Sequence, residues 1–242
     1  MSLPPTDLLQ RFGLSVPELV AETARAKVWR VRRGADAWAA LKYYPAGHMG
    51  NEASGLAYLE RCEGAGAVRV FERSADAVLM EWLEGPSLGD LARAKGAEAA
   101  DHGVTDVAAR LCATRISGAG LLPVSTVMSP LRDASFTSPE AQDAQGVARA
   151  CLDQLPCGVG ERVALHGDLH HDNIIQTAQG LRAFDAKGLV GPRAYELANA
   201  FRHPRGCRAH AADPQVIRRR AMMWGRVAGC TAREQLHWAI AK

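Results

Sequence analysis

Three oxygen-bearing side chains punctuate the stretch "HGDLHHDNIIQTAQGLRAFDAKG": Asp168, Asn173 five positions on, and Asp185 seventeen after Asp168. Between the last two, "NIIQTAQGLRAF" has the composition of two short strands joined by a turn containing Gly180. A hairpin of that length brings its ends together, so the spacing predicts Asn173 and Asp185 side by side, with Asp168 just ahead of them. Two oxygen ligands so placed suit Mg²⁺, which prefers oxygen donors and retains waters and phosphate oxygens. A carboxylate beside them can take the proton of an attacking hydroxyl. Phosphoryl transfer needs these parts: a positioned base, a metal bridging phosphates, and little covalent chemistry from the protein. The order D-x-x-x-x-N followed by an aspartate also matches the kinase catalytic loop and its metal-binding aspartate.

A polar loop with capping aspartates can carry the same letters, so the rest of the chain must supply the partners. In "AWAALKYY" Lys42 shares a strand face with Trp38 and Ala40 by the two-residue alternation. A lysine there needs either a route to water or an inward partner. In the helical "NEASGLAYLER", Glu52, Leu56 and Leu59 fall at i, i+4 and i+7, which sets Glu52 on the apolar stripe. A buried carboxylate is costly without a cation. Pairing Lys42 with Glu52 answers both anomalies and reproduces the lysine–glutamate pair of kinases.

Around these residues the chain divides in two. "AKVWRVRRGADAWAALKYY", with Gly34 and Asp36 in its turn, and "AVRVFERSADAVLMEW" read as hairpins on either side of that helix. Beyond Gly85 the pattern becomes helical. Ser87 and Asp90 form a capping box ahead of "LGDLARAKG", "TDVAARLCATRIS" continues the trend, and Ser138 with Pro139 opens "SPEAQDAQGVARACLDQLP". The Gly, Pro and Ser content of "SGAGLLPVSTVMSPLRDASFTSP" reads as a loop. The expected fold class is α+β in two lobes, which with the D-x-x-x-x-N motif resembles a protein-kinase-like two-lobed fold. Residues 1–84 form a small lobe of antiparallel sheet with one helix, and residues 85–242 a larger, mainly helical lobe.

Composition narrows the function classes. A chain of 242 residues, 48% of them hydrophobic, can bury a substantial core. The start "MSLPPTDLLQRFG" lacks a basic region leading into an apolar stretch, and no run is long enough to span a bilayer. A cytoplasmic protein with no membrane partner is expected. Six scattered cysteines, Cys157 among them, form no C-x-x-C pair and read as reduced thiols. A net charge of +3 is too small to imply a nucleic-acid partner. Its distribution is uneven, with nine Arg or Lys against two acids from Phe201 to Lys242. Within that segment Arg218 to Arg220 read as a solvated basic helix face.

"LHGDLHHDNI", "FDAKGLVGPRAYELAN" and the N-terminal "VWRVRRG", "AALKYY" and "NEASGLAYL" together resemble the aminoglycoside and hydroxyurea antibiotic resistance kinases. The similarity runs over about residues 20 to 205, its specific part lying in 166 to 173 and 184 to 199. It implies Asp168 as catalytic base, Asn173 and Asp185 as Mg²⁺ ligands, and Lys42 on the ATP phosphates with Glu52 as its partner. "MEWLEG" becomes the hinge, with backbone groups of Glu81 to Leu83 on the adenine and Ala40 against the base. His166 supports the loop, and Lys187 approaches the phosphates. The acceptor is a small-molecule hydroxyl on an aminoglycoside-like compound, a sugar or a related metabolite. The chain departs from the family pattern at "DAKG", where D-P-K-G is common, and at Asp172, where Gly is common. The phosphate-covering segment "ETARAKVW" lacks glycine, which leaves the phosphates to Lys42 and metal more than to a backbone cradle. The 57 residues after Asp185 are few for a helical substrate-binding region. If the basic "FRHPRGCRAH" and "IRRRAMMWGR" line the acceptor site, they repel a polycation.

Two other readings compete. His166, Asp168, His170 and His171 could serve a metal-dependent hydrolase. That leaves Lys42, Glu52, Asn173 and Asp185 unexplained, and adjacent His170 and His171 diverge. A kinase-fold scaffold that binds nucleotide without catalysis agrees with the missing glycines, but not with the retention of Lys42, Asp168, Asn173 and Asp185.

Overall fold

The strand residues sort by face. Trp29, Val31, Ala39, Leu41 and Leu79 are at most 1% exposed, while their neighbours Ala40, Lys42 and Met80 are only partly buried and look the other way. In the computed structural model, which describes residues 3–35, 37–155 and 162–242, these strands form one antiparallel sheet. Asp36 of the expected turn and Cys157 lie outside the described residues.

The chain begins with α1 (Thr6–Arg11), β1 (Leu14–Glu22), β2 (Lys27–Arg33) and β3 (Ala37–Tyr43). Then come α2 (Ala53–Cys62), β4 (Val70–Arg73) and β5 (Ala77–Glu81), in the sheet order β1-β2-β3-β5-β4. Both expected hairpins are present, β2 pairing β3 and β4 pairing β5. Two elements were not expected. Leu8 and Phe12 of the α1 region cover the buried face of the sheet. At its edge, β1 shows no burial alternation, contains Pro17, and slips register between Ser15 and Glu18, where Val16 has φ +49°, and again between Leu19 and Ala21.

After β5 come α3 (Leu88–Lys95), α4 (Glu98–Ala113), β6 (Leu122–Pro123), α5 (Val124–Asp133) and α6 (Pro139–Asp153). The capping box at α3 forms as expected: Asp90 N–H donates to Ser87 Oγ at 3.0 Å, and Ser87 N–H donates back to Asp90 Oδ2 at 3.1 Å. Ser138 Oγ caps α6 from the N–H of Ala141. The stretch read as a loop contains α5, a ten-residue helix that holds Pro130 internally and buries Val124 and Met128. There follow β7 (Val163–Leu165), β8 (Ile174–Thr177), β9 (Gly180–Ala183), β10 (Leu189–Gly191), α7 (Arg208–Ala211), α8 (Pro214–Ala228) and α9 (Ala232–Ala241). Among the described residues no helix is long and apolar enough to cross a membrane, and the described cysteines are free.

The basic face expected at Arg218 to Arg220 needs correction. Arg218 is exposed, but Arg220 is fully buried and donates through Nε to Asp101 Oδ1 at 3.0 Å. Asp101, itself 1% exposed, also accepts from His171 Nε2 at 2.8 Å and lies 3.4 Å from Arg219 Nη2. Arg220 Nη1 reaches the carbonyls of Ala200 and Phe201. One buried aspartate of α4 thus ties α8 to the turn holding Asn173. Burial pushes its carboxyl up, but His171 and Arg220 outweigh that and hold it well below the usual range.

Candidate active site

The β8–β9 hairpin delivers the local part of the site. Ile174 pairs with Ala183, and Phe184 N–H donates to the Asn173 carbonyl at 3.0 Å, so the ends that carry Asn173 and Asp185 meet. Asp185 has φ +60°, in a region that aspartate tolerates better than most residues. The hairpin is bound on both flanks. Val68 N–H donates to Ala183 O at 2.8 Å, and Gln176 N–H to Pro86 O at 2.9 Å, placing it between the chain entering β4 and the chain leaving β5.

Helix α2 brings the second part. A Cβ on Gly55 would stand 1.8 Å from the Ala186 carbonyl, and one on Gly188 2.0 Å from the Ser54 carbonyl. Two glycines therefore allow the start of α2 to lie backbone against backbone on residues 186–188. Glu52, in the single 3-10 turn just before α2 rather than on its stripe, arrives beside Asp185. Lys42 Nζ donates to Glu52 Oε2 and lies 3.8 Å from Asp185 Oδ1. The same Glu52 oxygen accepts from Tyr44 Oη at 2.8 Å. Burial, then Glu52, raise the Tyr44 hydroxyl far above its usual range.

Lys42, Glu52 and Asp185 stand in the wall of a cleft cavity of about 500 Å³. Ala40, Glu81 and Leu83 share that wall, with Val28, Leu59, Met80 and Phe184 giving it apolar sides. The Glu81 N–H is already taken by the Arg69 carbonyl at 2.8 Å. The glycine-free segment between β1 and β2 is a tight turn in which Thr23 Oγ1 accepts from the N–H groups of Arg25 and Ala26 at 3.2 and 3.0 Å. Those amides are turned inward.

Asp168 sits below the hairpin with each group engaged. Its N–H donates to His166 Nδ1 at 3.3 Å, its carbonyl accepts from Asn173 Nδ2 at 3.0 Å, and its Oδ1 accepts from Asn199 Nδ2 at 2.7 Å. Its Oδ2 lies 4.0 Å from Lys187 Nζ. With its amide nitrogen on the Asp168 carbonyl, Asn173 keeps its side-chain oxygen for another ligand, which fits the oxygen-donor set a hard dication takes with Asp185. Burial pushes the Asp168 carboxyl up, but Lys242, His170, Lys187 and Asn199 outweigh it, and the net position is below the usual range. Behind the loop, Glu196 accepts the N–H groups of His166 and Gly167 at 3.2 Å each. Burial raises its carboxyl to about 7.

Asn199, Glu196, Asp101 and Lys242 were not singled out from the sequence. Asn199 and Glu196 stood within a recognised block, yet nothing local marked them, because their partners lie 31, 30 and 29 residues away.

The histidines do not converge. His166 Nε2 lies on the Phe184 carbonyl at 2.9 Å and His171 faces Asp101, while His170 stacks on His203 with ring centroids 3.6 Å apart. His170, Asp172 and His203 could approach one ion. The Asp172 oxygens, however, already accept from Arg93, His203 and Arg205, and His170 Nδ1 accepts from the Asp172 N–H. These are structural contacts. Burial pushes His166 down to about 4, whereas an unfolded chain titrates near 6.5. As the pH falls, the unfolded state binds its proton first, so the contribution of neutral His166 is present above about pH 6.5 and is lost toward pH 4. Glu196 acts in the opposite direction, equally in any His166 variant. The stability advantage of wild type over His166→Gln should therefore shrink by about 2 kcal/mol from pH 7.5 to 5, measured by urea unfolding.

A sheet lobe over a helical lobe, with Lys42, Glu52 and Asp185 on one cleft wall above an Asp168–Asn173 loop, defines the protein-kinase-like class. The chain belongs to the aminoglycoside/hydroxyurea antibiotic resistance kinase family, whose model matches residues 11–242. It is 37% identical over 160 residues to a streptomycin 3''-kinase of Klebsiella pneumoniae, covering 64% of this chain and 58% of that protein. The chain thus aligns to less than two thirds of that relative's length. Among solved structures it is similar to a thermostable mutant of aminoglycoside phosphotransferase APH(4)-Ia in complex with ADP and hygromycin B. The TM-score is 0.67 at 14% identity, covering 97% of this chain and 86% of that one. It is also similar to an ethanolamine kinase of Plasmodium vivax, with TM-score 0.63 at 12% identity over 93% and 73% of the chains.

Proposed function

We propose that this chain transfers the γ-phosphoryl group of ATP to a hydroxyl of a small molecule. The observation that carries this reading is Lys42 bridging Glu52 and Asp185 on the wall of one cavity, with Asp168 held by Asn199 on the loop that leads into the β8–β9 hairpin. Residues 1–84 form the nucleotide-binding lobe and 85–242 the catalytic and acceptor lobe. The adenine takes the apolar end of the cavity between Ala40 and Phe184, against the backbone of Glu81 to Leu83. Lys42, fixed by Glu52, meets the phosphates. Because Thr23 occupies the amides of the covering turn, this lysine carries more of the phosphate binding than it would beside a glycine-rich loop. Asn173 and Asp185 would hold Mg²⁺, which when bound neutralises phosphate charge.

Asp168 accepts the proton of the acceptor hydroxyl as that oxygen bonds to the γ-phosphorus, and the bond from phosphorus to the leaving oxygen of ADP breaks. The pinning of Oδ1 by Asn199 leaves Oδ2 as the base, and Lys187 beside it steadies the incoming phosphoryl charge. An aminoglycoside-type acceptor agrees with the family. The experiment is an acceptor screen with Mg·ATP in which streptomycin and neutral sugars are separate arms, ADP release being the readout. Release that depends on one acceptor supports the reading, and none with any acceptor contradicts it. Lys42→Ala, which removes charge-assisted hydrogen bonds worth about 1.5–3 kcal/mol, should lower kcat/KM for ATP roughly 10- to 100-fold with the melting temperature kept.

A further inference from the structure

Lys242 is partly buried, and its ammonium turns inward. From the end of α9 its Nζ donates to the Gly167 carbonyl at 2.7 Å, across 75 residues of chain, and lies 4.4 Å from the centre of the Tyr195 ring. Tyr195 is itself held edge-on against Trp238 of α9, with ring centroids 5.4 Å apart, in a cluster that includes Ala241. Burial pushes the ammonium down to about 8, and the charges of Asp168 and Glu196 pull it back up. A lysine kept at such a desolvation cost needs compensating contacts, and here its hydrogen bond goes to the segment that presents Asp168 while Tyr195 supplies the ring contact.

The peptide joining Gly167 to Asp168 would otherwise be anchored unevenly. Glu196 holds the N–H groups of His166 and Gly167, and His166 Nδ1 the N–H of Asp168. The Gly167 carbonyl takes Lys242. Gly167 has φ +78°, and a Cβ there would meet the Leu189 side chain at 2.7 Å, so no side chain of its own can brace this position. We propose that Lys242 is a positioning residue for phosphoryl transfer: its ammonium fixes the Gly167 carbonyl, and with it the peptide plane from which the Asp168 carboxylate projects. Lys242 acts through the loop, so its removal displaces the base without altering the ATP cavity, whose wall it does not enter.

This inference rests on the phosphotransferase reading, and the test separates the two. Lys242→Met and Lys242→Arg are compared with wild type for kcat, KM for ATP, melting temperature and hydrogen exchange of the peptide spanning 165–173. Lys242→Met is expected to lower kcat roughly 10- to 100-fold, the scale of a small misplacement of a reacting group. KM for ATP stays within about twofold, exchange in 165–173 rises, and Lys242→Arg, which restores a cationic donor, recovers most of kcat. An unchanged kcat in Lys242→Met overturns the proposal. So does a kcat loss that Lys242→Arg fails to recover while exchange in 165–173 stays at the wild-type level. Should Lys242→Met fail to fold, Lys242→Arg and Trp238→Phe, which loosens the α9 anchor, carry the same exchange and kcat comparison. A wild-type protein that transfers phosphate to no acceptor overturns the phosphotransferase reading itself, and the role of Lys242 with it.

Discussion

Asp168→Asn should leave the melting temperature and ATP affinity close to wild type and lower phosphoryl transfer by about 10²- to 10⁴-fold, the usual worth of a positioned base. The substitution keeps size and an oxygen for Asn199, so the 2.7 Å contact that orients the side chain can persist. The ability to take a proton is what goes. Carboxamide and carboxylate differ little toward the ATP cavity, whose wall does not include Asp168. Steady-state kinetics beside a thermal melt check this. A scaffold that only binds nucleotide gives no such difference, because there is no transfer to lose.

The second large effect concerns the buried charges behind the loop. Arg220→Met should destabilise the protein by about 3–5 kcal/mol, since it leaves Asp101 buried without its main cation. For a chain of this length that is a fall in melting temperature of roughly 10 °C. The double variant Asp101→Leu with Arg220→Met should recover much of the loss, because an apolar pair of similar volume costs far less than a lone buried charge. His171, left without its acceptor at 2.8 Å in the double variant, still carries a cost, so recovery is incomplete. Urea unfolding of the three proteins measures this.

These two predictions mark where the sequence could and could not be read. Asp168, Asn173 and Asp185 were legible because a hairpin is local, and its length places its ends. Lys42 was legible as a charge on an otherwise apolar strand, whereas Glu52 was named from a helical stripe that it does not occupy, and the contact between the two formed all the same. The capping box at Ser87 and Asp90 was equally local. What went unread depends on distance or on broken patterns. Asp101 is an ordinary acid in a helix until α8 brings Arg220 from 119 residues away. Arg220 carries the same letter as exposed Arg218, and only packing separates them. Strand β1 hides its alternation behind Pro17 and two register shifts, and α5 hides behind Pro130 and the glycines and serines around it. Lys242 looked like one more charge in a basic tail.

The fate of the γ-phosphoryl group tests the central claim most directly. Wild-type protein is incubated with Mg·ATP labelled in the γ-phosphoryl group and the acceptor that most stimulates ADP release, with Asp168→Asn in parallel. The label is predicted to appear as a phosphate ester on an acceptor hydroxyl, one per ADP formed, and to be nearly absent with Asp168→Asn. Label released only as inorganic phosphate, or equal transfer by Asp168→Asn, would contradict the account.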